Sequence, residues 1–448
     1  MKKKQSKYQV IDYVFWFLLI VWSNPGGILI ALGEDKSKSG IDVQDYVVVL
    51  LLGCFIIIFH SLKMRDRIFK KALKYLFIFG LYYFIIFGFF VPVLKENSNY
   101  TFFSFLIKSR RTIYSLLFFV MIYSFYIRSY LIFYKTLVIS SIIILSLFLF
   151  SFITGFEILP IERVNRGFVN IDRNFLASYG LMSLLIPMGA VLIVFKSDLK
   201  LKKLIIIGFV LMLLTFILSL TRRQIIAPFI YLFISLLVFN YLQRKELIPV
   251  RKIISILFFT ILLGFFISLI LPKYAKASVA GIDQTIHIIQ YGETTSGKKD
   301  TRMGLGKDFM QNLIINNLWF GTGYHKNWSG SEGDKLGYEP SDYPFLSAIA
   351  MTGLFGVLIF LPIYVIIIKS IIYDLGFLRR NSVNFQSLEF YFLIMFIIYF
   401  IYHLLQYMNW FLPVSNTKQS SWYIYFAMYL ASRRIFYNKY VNEKMVKG

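Results

Sequence analysis

The stretch Leu204-Ile-Ile-Ile-Gly-Phe-Val-Leu-Met-Leu-Leu-Thr-Phe-Ile-Leu-Ser-Leu220, followed by Thr221-Arg222-Arg223-Gln224 and then Ile225-Ile-Ala-Pro-Phe-Ile-Tyr-Leu-Phe-Ile-Ser-Leu-Leu-Val-Phe239, decides the fold class. Two apolar runs, each close to the length that crosses a bilayer as a helix, flank one four-residue polar turn. The same grammar repeats outward in both directions, as in 253–271, 345–368 and 390–405. The runs lack the alternation of a transmembrane barrel strand. The whole chain of 448 residues is 58% hydrophobic, with a mean hydropathy of +0.66, and its apolar residues come in blocks. The expectation is an all-α polytopic membrane protein, one integral membrane domain over 1–448 with about 12 transmembrane helices. The spans fall near 9–32, 46–60, 75–94, 111–127, 136–155, 174–195, 204–220, 224–241, 253–272, 344–368, 388–408 and 421–432.

A net charge of +25 would point to nucleic acid in a soluble protein. Here the cations follow the spans instead. The termini and alternate loops on one side hold 28 of the 48 Lys and Arg but 7 of the 23 acids, a net of +21 against +4 on the other side. The positive-inside rule makes that side cytoplasmic, with both termini on it. The chain reads as a membrane protein of the inner-membrane type, with the bilayer and not nucleic acid as its partner. Met1-Lys2-Lys3-Lys4 before the first apolar run, with no small-residue cleavage site, reads as an uncleaved first helix. The lone cysteine, Cys54, lies in an expected span and says nothing of the redox compartment. The sequence has no Walker A motif, no HExxH and no CxxC, so neither nucleotide hydrolysis nor a dedicated metal site is expected.

One connection breaks the pattern of short loops. Residues 273–343 form a large external loop, carrying short amphipathic helices. Met303 to Leu318 places Phe309, Leu313 and Leu318 at helical spacing, and Trp319-Phe320-Gly321-Thr322-Gly323 then reads as a turn. The informative charges are the cations on the external side. Arg222 and Arg223 fill a tight turn; Arg110 and Arg111 stand with Lys108 at the mouth of a span. Arg166 and Arg173 lie with Arg163 in the loop before the sixth span, and Arg302 opens the amphipathic helix. Helix-end arginines often snorkel to headgroups. Several converging guanidinium forks instead make a metal-free clamp for a diphosphate. Asp342, just before a span, is a general base or a helix N-cap. Tyr324 is a sugar-stacking ring or an interfacial aromatic, and His325 and His287 read as solvated loop residues. His403 reads as a core histidine within a span.

Three segments together resemble the O-antigen ligase and O-antigen polymerase superfamily. Ser219-Leu-Thr-Arg222-Arg223 is similar to its Ser-x-x-Arg turn. Arg302 and the later Trp319-Phe-Gly321-Thr-Gly323-Tyr324 are similar to its large-loop motif. Asp342 through Gly353-Leu-Phe-Gly356 resembles the segment entering the next span, where ligases of the family often have His in the place of Asp342. The aspartate looks more like the polymerase branch. The resemblance implies glycosyl transfer from an undecaprenyl-diphosphate-linked glycan donor to an acceptor sugar, without metal or cofactor. It places Asp342, Arg222 and Arg302 at the reaction. Arg223, Arg110, Arg111, Arg166, Arg173, Gly321, Gly323, Tyr324 and His325 would bind diphosphate and glycan, and a chain-length regulator is a further expected partner. Three alternatives remain open from the residues alone: a ligase, a lipid-linked-oligosaccharide flippase, and a transferase using polyprenyl-phosphate sugars. The last would use an acidic pair such as Glu34-Asp35.

Overall fold

The computed structural model describes residues 9–23, 43–59, 66–86, 102–156, 158–159, 162–166, 171–175, 179–195, 199, 201–219, 222–243, 344–381, 386–405 and 417–447, with scattered positions between 272 and 321. In chain order the helices are α1 (Gln9–Ser23), α2 (Val43–Phe59), α3 (Arg67–Ile85) and α4 (Phe102–Thr154). Strands β1 (Glu162–Arg166) and β2 (Ile171–Phe175) follow. A short 3-10 turn, Gly180–Leu184, runs into α5 (Leu185–Phe195). Then come α6 (Lys202–Leu218), α7 (Arg222–Leu242), α8 (Pro344–Arg380), α9 (Leu388–Leu405) and α10 (Thr417–Lys447). Among the described residues, three helical stretches are long and apolar enough to cross a membrane: Leu116–Thr154, Gln224–Leu242 and Thr352–Arg380. The expected span 253–272 lies almost wholly outside the described residues.

Side-chain contacts fix the direction of each helix. Arg128 pairs with Asp12, Phe125 stacks on Phe15, and Phe118 meets Trp22, so α1 and the first arm of α4 run antiparallel. At Ser129 the backbone leaves helical geometry (φ −137, ψ 32), and the second arm carries Ile142 back beside Gly208 in the middle of α6. The 53-residue helix is therefore a hairpin of two arms rather than one rod, because α6 and α5 share the level of the first arm. Ser129 holds the bend with its hydroxyl on the Phe125 carbonyl, while Trp16 Nε1 donates to Ser129 Oγ at 2.9 Å. The two expected spans 111–127 and 136–155 are these arms.

The core is aromatic. Tyr126 packs against Trp16, Phe133, Phe392 and Phe396, and Phe426 joins Phe119 to Phe400. Rings of this size bury much apolar area with few rotors to freeze, which suits a bundle whose outer face is apolar as well.

The structure departs from the all-α expectation at 162–175. Glu162-Arg-Val-Asn-Arg166 pairs antiparallel with Ile171-Asp-Arg-Asn-Phe175, Arg166 opposite Ile171 and Val164 opposite Arg173. The segment read as loop and span start is a hairpin, and the helix begins only near Gly180. There the backbone turns to φ +44, against Ser23 so closely that a Cβ would overlap its carbonyl.

Candidate active site

The helix directions sort the polar groups into two ends. At one end, Ser23 Oγ accepts the Leu181 N–H at 3.1 Å, and Tyr425 OH donates to the Gly180 carbonyl at 2.9 Å. Tyr179 meets Phe216 edge to face near the close of α6, and Tyr231 of α7 stacks on Tyr402 of α9. Three of the segments picked out by sequence converge on this end.

The first is the turn between α6 and α7. Ser219 is fully buried, its Oγ 2.6 Å from the Phe216 carbonyl oxygen and 2.7 Å from the Gln224 side-chain amide. The hydroxyl therefore ties the end of α6 to the first turn of α7, and it is not exposed as a nucleophile. Arg222 and Arg223 are the first two residues of α7, where the unpaired helical N–H groups favour an anion. Gln224 is a holder of this turn that sequence reasoning missed. Its position two residues past Arg222 carried no signal without knowledge of where Ser219 points.

The second is a break in α8. Gly353 has φ 66 and ψ 176, a region essentially reserved for glycine. Two N–H groups of the helix after the break leave their own chain neighbourhood. Leu354 donates to the Leu318 carbonyl at 2.8 Å and Phe355 to the Trp319 carbonyl at 3.2 Å. The Thr352 carbonyl on the other side of the break accepts from Tyr82 OH of α3 at 2.7 Å. Leu318 to Phe320 form a turn and Gly321 is buried with φ 74, as the sequence of this stretch led one to expect. The rings of Trp319 and Phe320 each lie 5.4 Å from Phe355. The large-loop motif and the span-entry motif thus touch through their backbones.

The third is the β-hairpin, which leaves α4 and rejoins the chain at the 3-10 turn, packing β2 against α6. It carries Arg166 and Arg173 in the register given above. Arg110 and Arg111 lie on the first arm of α4, about 10–12 Å along the axis beyond Phe118 at the helical rise. Asp45, an acid at this end that sequence reading passed over, accepts from Tyr114 OH at 2.9 Å. Arg302, Asp342, Gly323, Tyr324, His325 and the Glu34-Asp35 pair lie outside the described residues. His287 is described, its ring 4.7 Å from that of Tyr291, and His403 packs 4.2 Å from Tyr399. Among the described residues, no three His, Cys, Asp or Glu side chains group closely enough to hold a metal ion.

The opposite end is built of satisfied charges. Asp374, fully buried on α8, receives Arg433 Nε at 2.7 Å, Tyr429 OH at 2.8 Å and Tyr437 OH at 2.8 Å. Burial first, and then the Asp374 carboxylate, push the Tyr437 phenol above its ordinary range, so it remains a donor. Glu389 receives Lys439 Nζ at 2.7 Å and Tyr130 OH at 2.9 Å. Asp66 caps α3 and accepts from Tyr123 OH at 3.0 Å.

A match to a known protein family covers both the buried-serine turn and the helix break. Residues 207–361 match the family model described as O-Antigen ligase. The O-antigen ligase match takes in about a third of the chain, from within α6 to the helix beyond Gly356, and it agrees with the resemblance of this segment to the O-antigen ligase and polymerase superfamily. No curated protein matches the chain. The O-antigen ligase match, together with the apolar helices, supports a membrane-embedded, glycosyltransferase-like protein of O-antigen processing.

Proposed function

We propose that the chain is a metal-independent membrane glycosyltransferase that polymerises undecaprenyl-diphosphate-linked oligosaccharide repeat units into O-antigen or another surface polysaccharide. The observation that carries the reading is the convergence, within the matched segment, of the Arg222 turn and the loop-bearing break at Gly353 on one end of the bundle. The reaction needs little proton chemistry at the leaving group. As the anomeric C–O bond to the diphosphate breaks, negative charge grows on the diphosphate oxygens, and arginines placed beforehand stabilise it. Arg222, Arg223 and Arg302 take that role. Asp342 accepts the proton of the acceptor hydroxyl as its oxygen forms the new glycosidic bond. Arg110, Arg111, Arg166 and Arg173, with Gly321, Gly323, Tyr324 and His325, serve the diphosphate and glycan. The donor tail stays in the bilayer.

The Gly353 end faces the periplasm and both termini the cytoplasm of a bacterial inner membrane. This orientation rests on the cation count, and labelling a cysteine placed at Gly330 with an impermeant reagent in intact cells tests it. Reaction is expected; silence with reactive control sites reverses the orientation. The second reading is a ligase moving finished glycan to a lipid or protein, favoured by the name of the matched family; Asp342, where ligases often have His, favours polymerisation. The transporter reading loses ground at Gly353. Broken helices of transporters turn half-helix ends toward substrate or ion, whereas two N–H groups here are taken by loop carbonyls. The lipid-linked glycan profile of a deletion strain decides. Single repeats stranded on the carrier mean a polymerase, long stranded chains mean a ligase, and an unchanged profile overturns both.

A further inference from the structure

We propose that Gly353 and Tyr82 are positioning residues of the glycosyl-transfer site: they form a seat that registers the segment following Arg302 against the segment following Asp342. The inference rests on the function proposed above. In a continuous helix Leu354 and Phe355 would donate to carbonyls of the preceding turn, and Thr352 would accept from the following one. The break frees all of these groups, and each meets a specific partner. The loop supplies the Leu318 and Trp319 carbonyls, and α3 supplies Tyr82 OH. A Cβ on residue 353 would overlap the Trp319 carbonyl, and one on residue 356 would press on Thr352 and the Tyr82 ring. Glycine is therefore required twice, once for backbone geometry and once for close approach. Arg302 lies about sixteen residues ahead of Leu318, and Asp342 lies inside the loop that the two backbone bonds close. On the function proposed above, the two backbone bonds therefore join the segments that carry these two residues.

The seat also has a natural alternative. Alanine favours helix over glycine, so Gly353→Ala is expected to straighten α8, return the two N–H groups to their own helix and release Leu318 and Trp319. A released loop costs turnover, not folding. The test uses the full chain purified in lipid nanodiscs with a lipid-linked repeat unit as substrate. Gly353→Ala should lower kcat at least about tenfold, the effect of losing two neutral hydrogen bonds, with KM for the donor within about twofold and thermal stability unchanged or raised. Tyr82→Phe should lower kcat about threefold, also with KM held. Limited proteolysis should cut between residues 322 and 343 faster in Gly353→Ala than in the parent chain. Wild-type kcat in Gly353→Ala, loss of stability equal to the loss of activity, or unchanged proteolysis overturns the seat and leaves glycosyl transfer standing. If the parent chain itself transfers no sugar, the functional reading fails, and the proteolysis comparison alone decides whether the seat holds the loop.

Discussion

At the Asp374 end of the bundle, Asp12, Asp66, Asp374 and Glu389 each meet a cation or a tyrosine, and the partners come from distant helices. At the Gly353 end, among the described residues, the contacts are made mostly by hydroxyls and backbone groups, namely Ser23, Ser219, Tyr425 and Tyr82 with the carbonyls of Leu318 and Trp319, and by one carboxylate, Asp45, on Tyr114. Among the described residues, then, one end is locked mainly by ion pairs and the other mainly by neutral hydrogen bonds. The difference teaches where not to look for activity: the charges matched at the Asp374 end stabilise the bundle, and the function proposed above draws on the other end.

That contrast predicts opposite phenotypes. The largest effect belongs to Asp342→Asn. If Asp342 takes the acceptor proton, polymer formation falls about a hundredfold to ten-thousandfold, with donor binding and protein level retained; near-normal rates would mark it as a helix cap, a role asparagine fills equally. Next comes Asp374→Ala, which strands Arg433 in the core and should cost roughly 3–5 kcal/mol of stability. Thermal unfolding in detergent measures it, and a normal melting temperature would break the comparison at its other end. Arg222→Ala should weaken charge stabilisation by about 1.5–3 kcal/mol, read as polymer yield per inserted protein, and Arg222→Lys should rescue poorly because an ammonium does not chelate two oxygens. Wild-type chain lengths in Arg222→Ala would remove that arginine from the site. The smallest effect is expected for Lys439→Ala, whose side chain is 45% exposed beside Glu389. Such a pair contributes at most about 1 kcal/mol, and a larger loss would show that the matched end is one coupled network.

The apolar blocks made the helices legible, and the Arg222 turn could be read because two adjacent cations stand out sharply between two long apolar runs. The break at Gly353 was not legible. Thr352-Gly353-Leu354 sits in an apolar run where a single glycine is tolerated, and what decides its geometry is Leu318, distant in sequence. The hairpin at 162–175 was hidden for a different reason: its strands carry charged and polar residues with little alternation, and its pairing is a tertiary choice. On the expected spans, Asp374 and Arg379 fall in a loop and Arg433 in the C-terminal segment. In the structure α8 runs to Arg380 and α10 from Thr417 to Lys447, so Asp374 and Arg433 are helix residues that meet inside the bundle.

The pairing of Asp374 with Arg433 has a consequence for biosynthesis. The two residues are 59 positions apart, and Tyr429 and Tyr437, the other partners of the carboxylate, arrive with Arg433 on the same final helix. At roughly 5–20 residues per second of synthesis, α8 waits about 3–12 s with its acid unanswered. During that interval the carboxylate that ends up buried has none of its three final-helix partners, and a chain that stops before Arg433 leaves Asp374 without them.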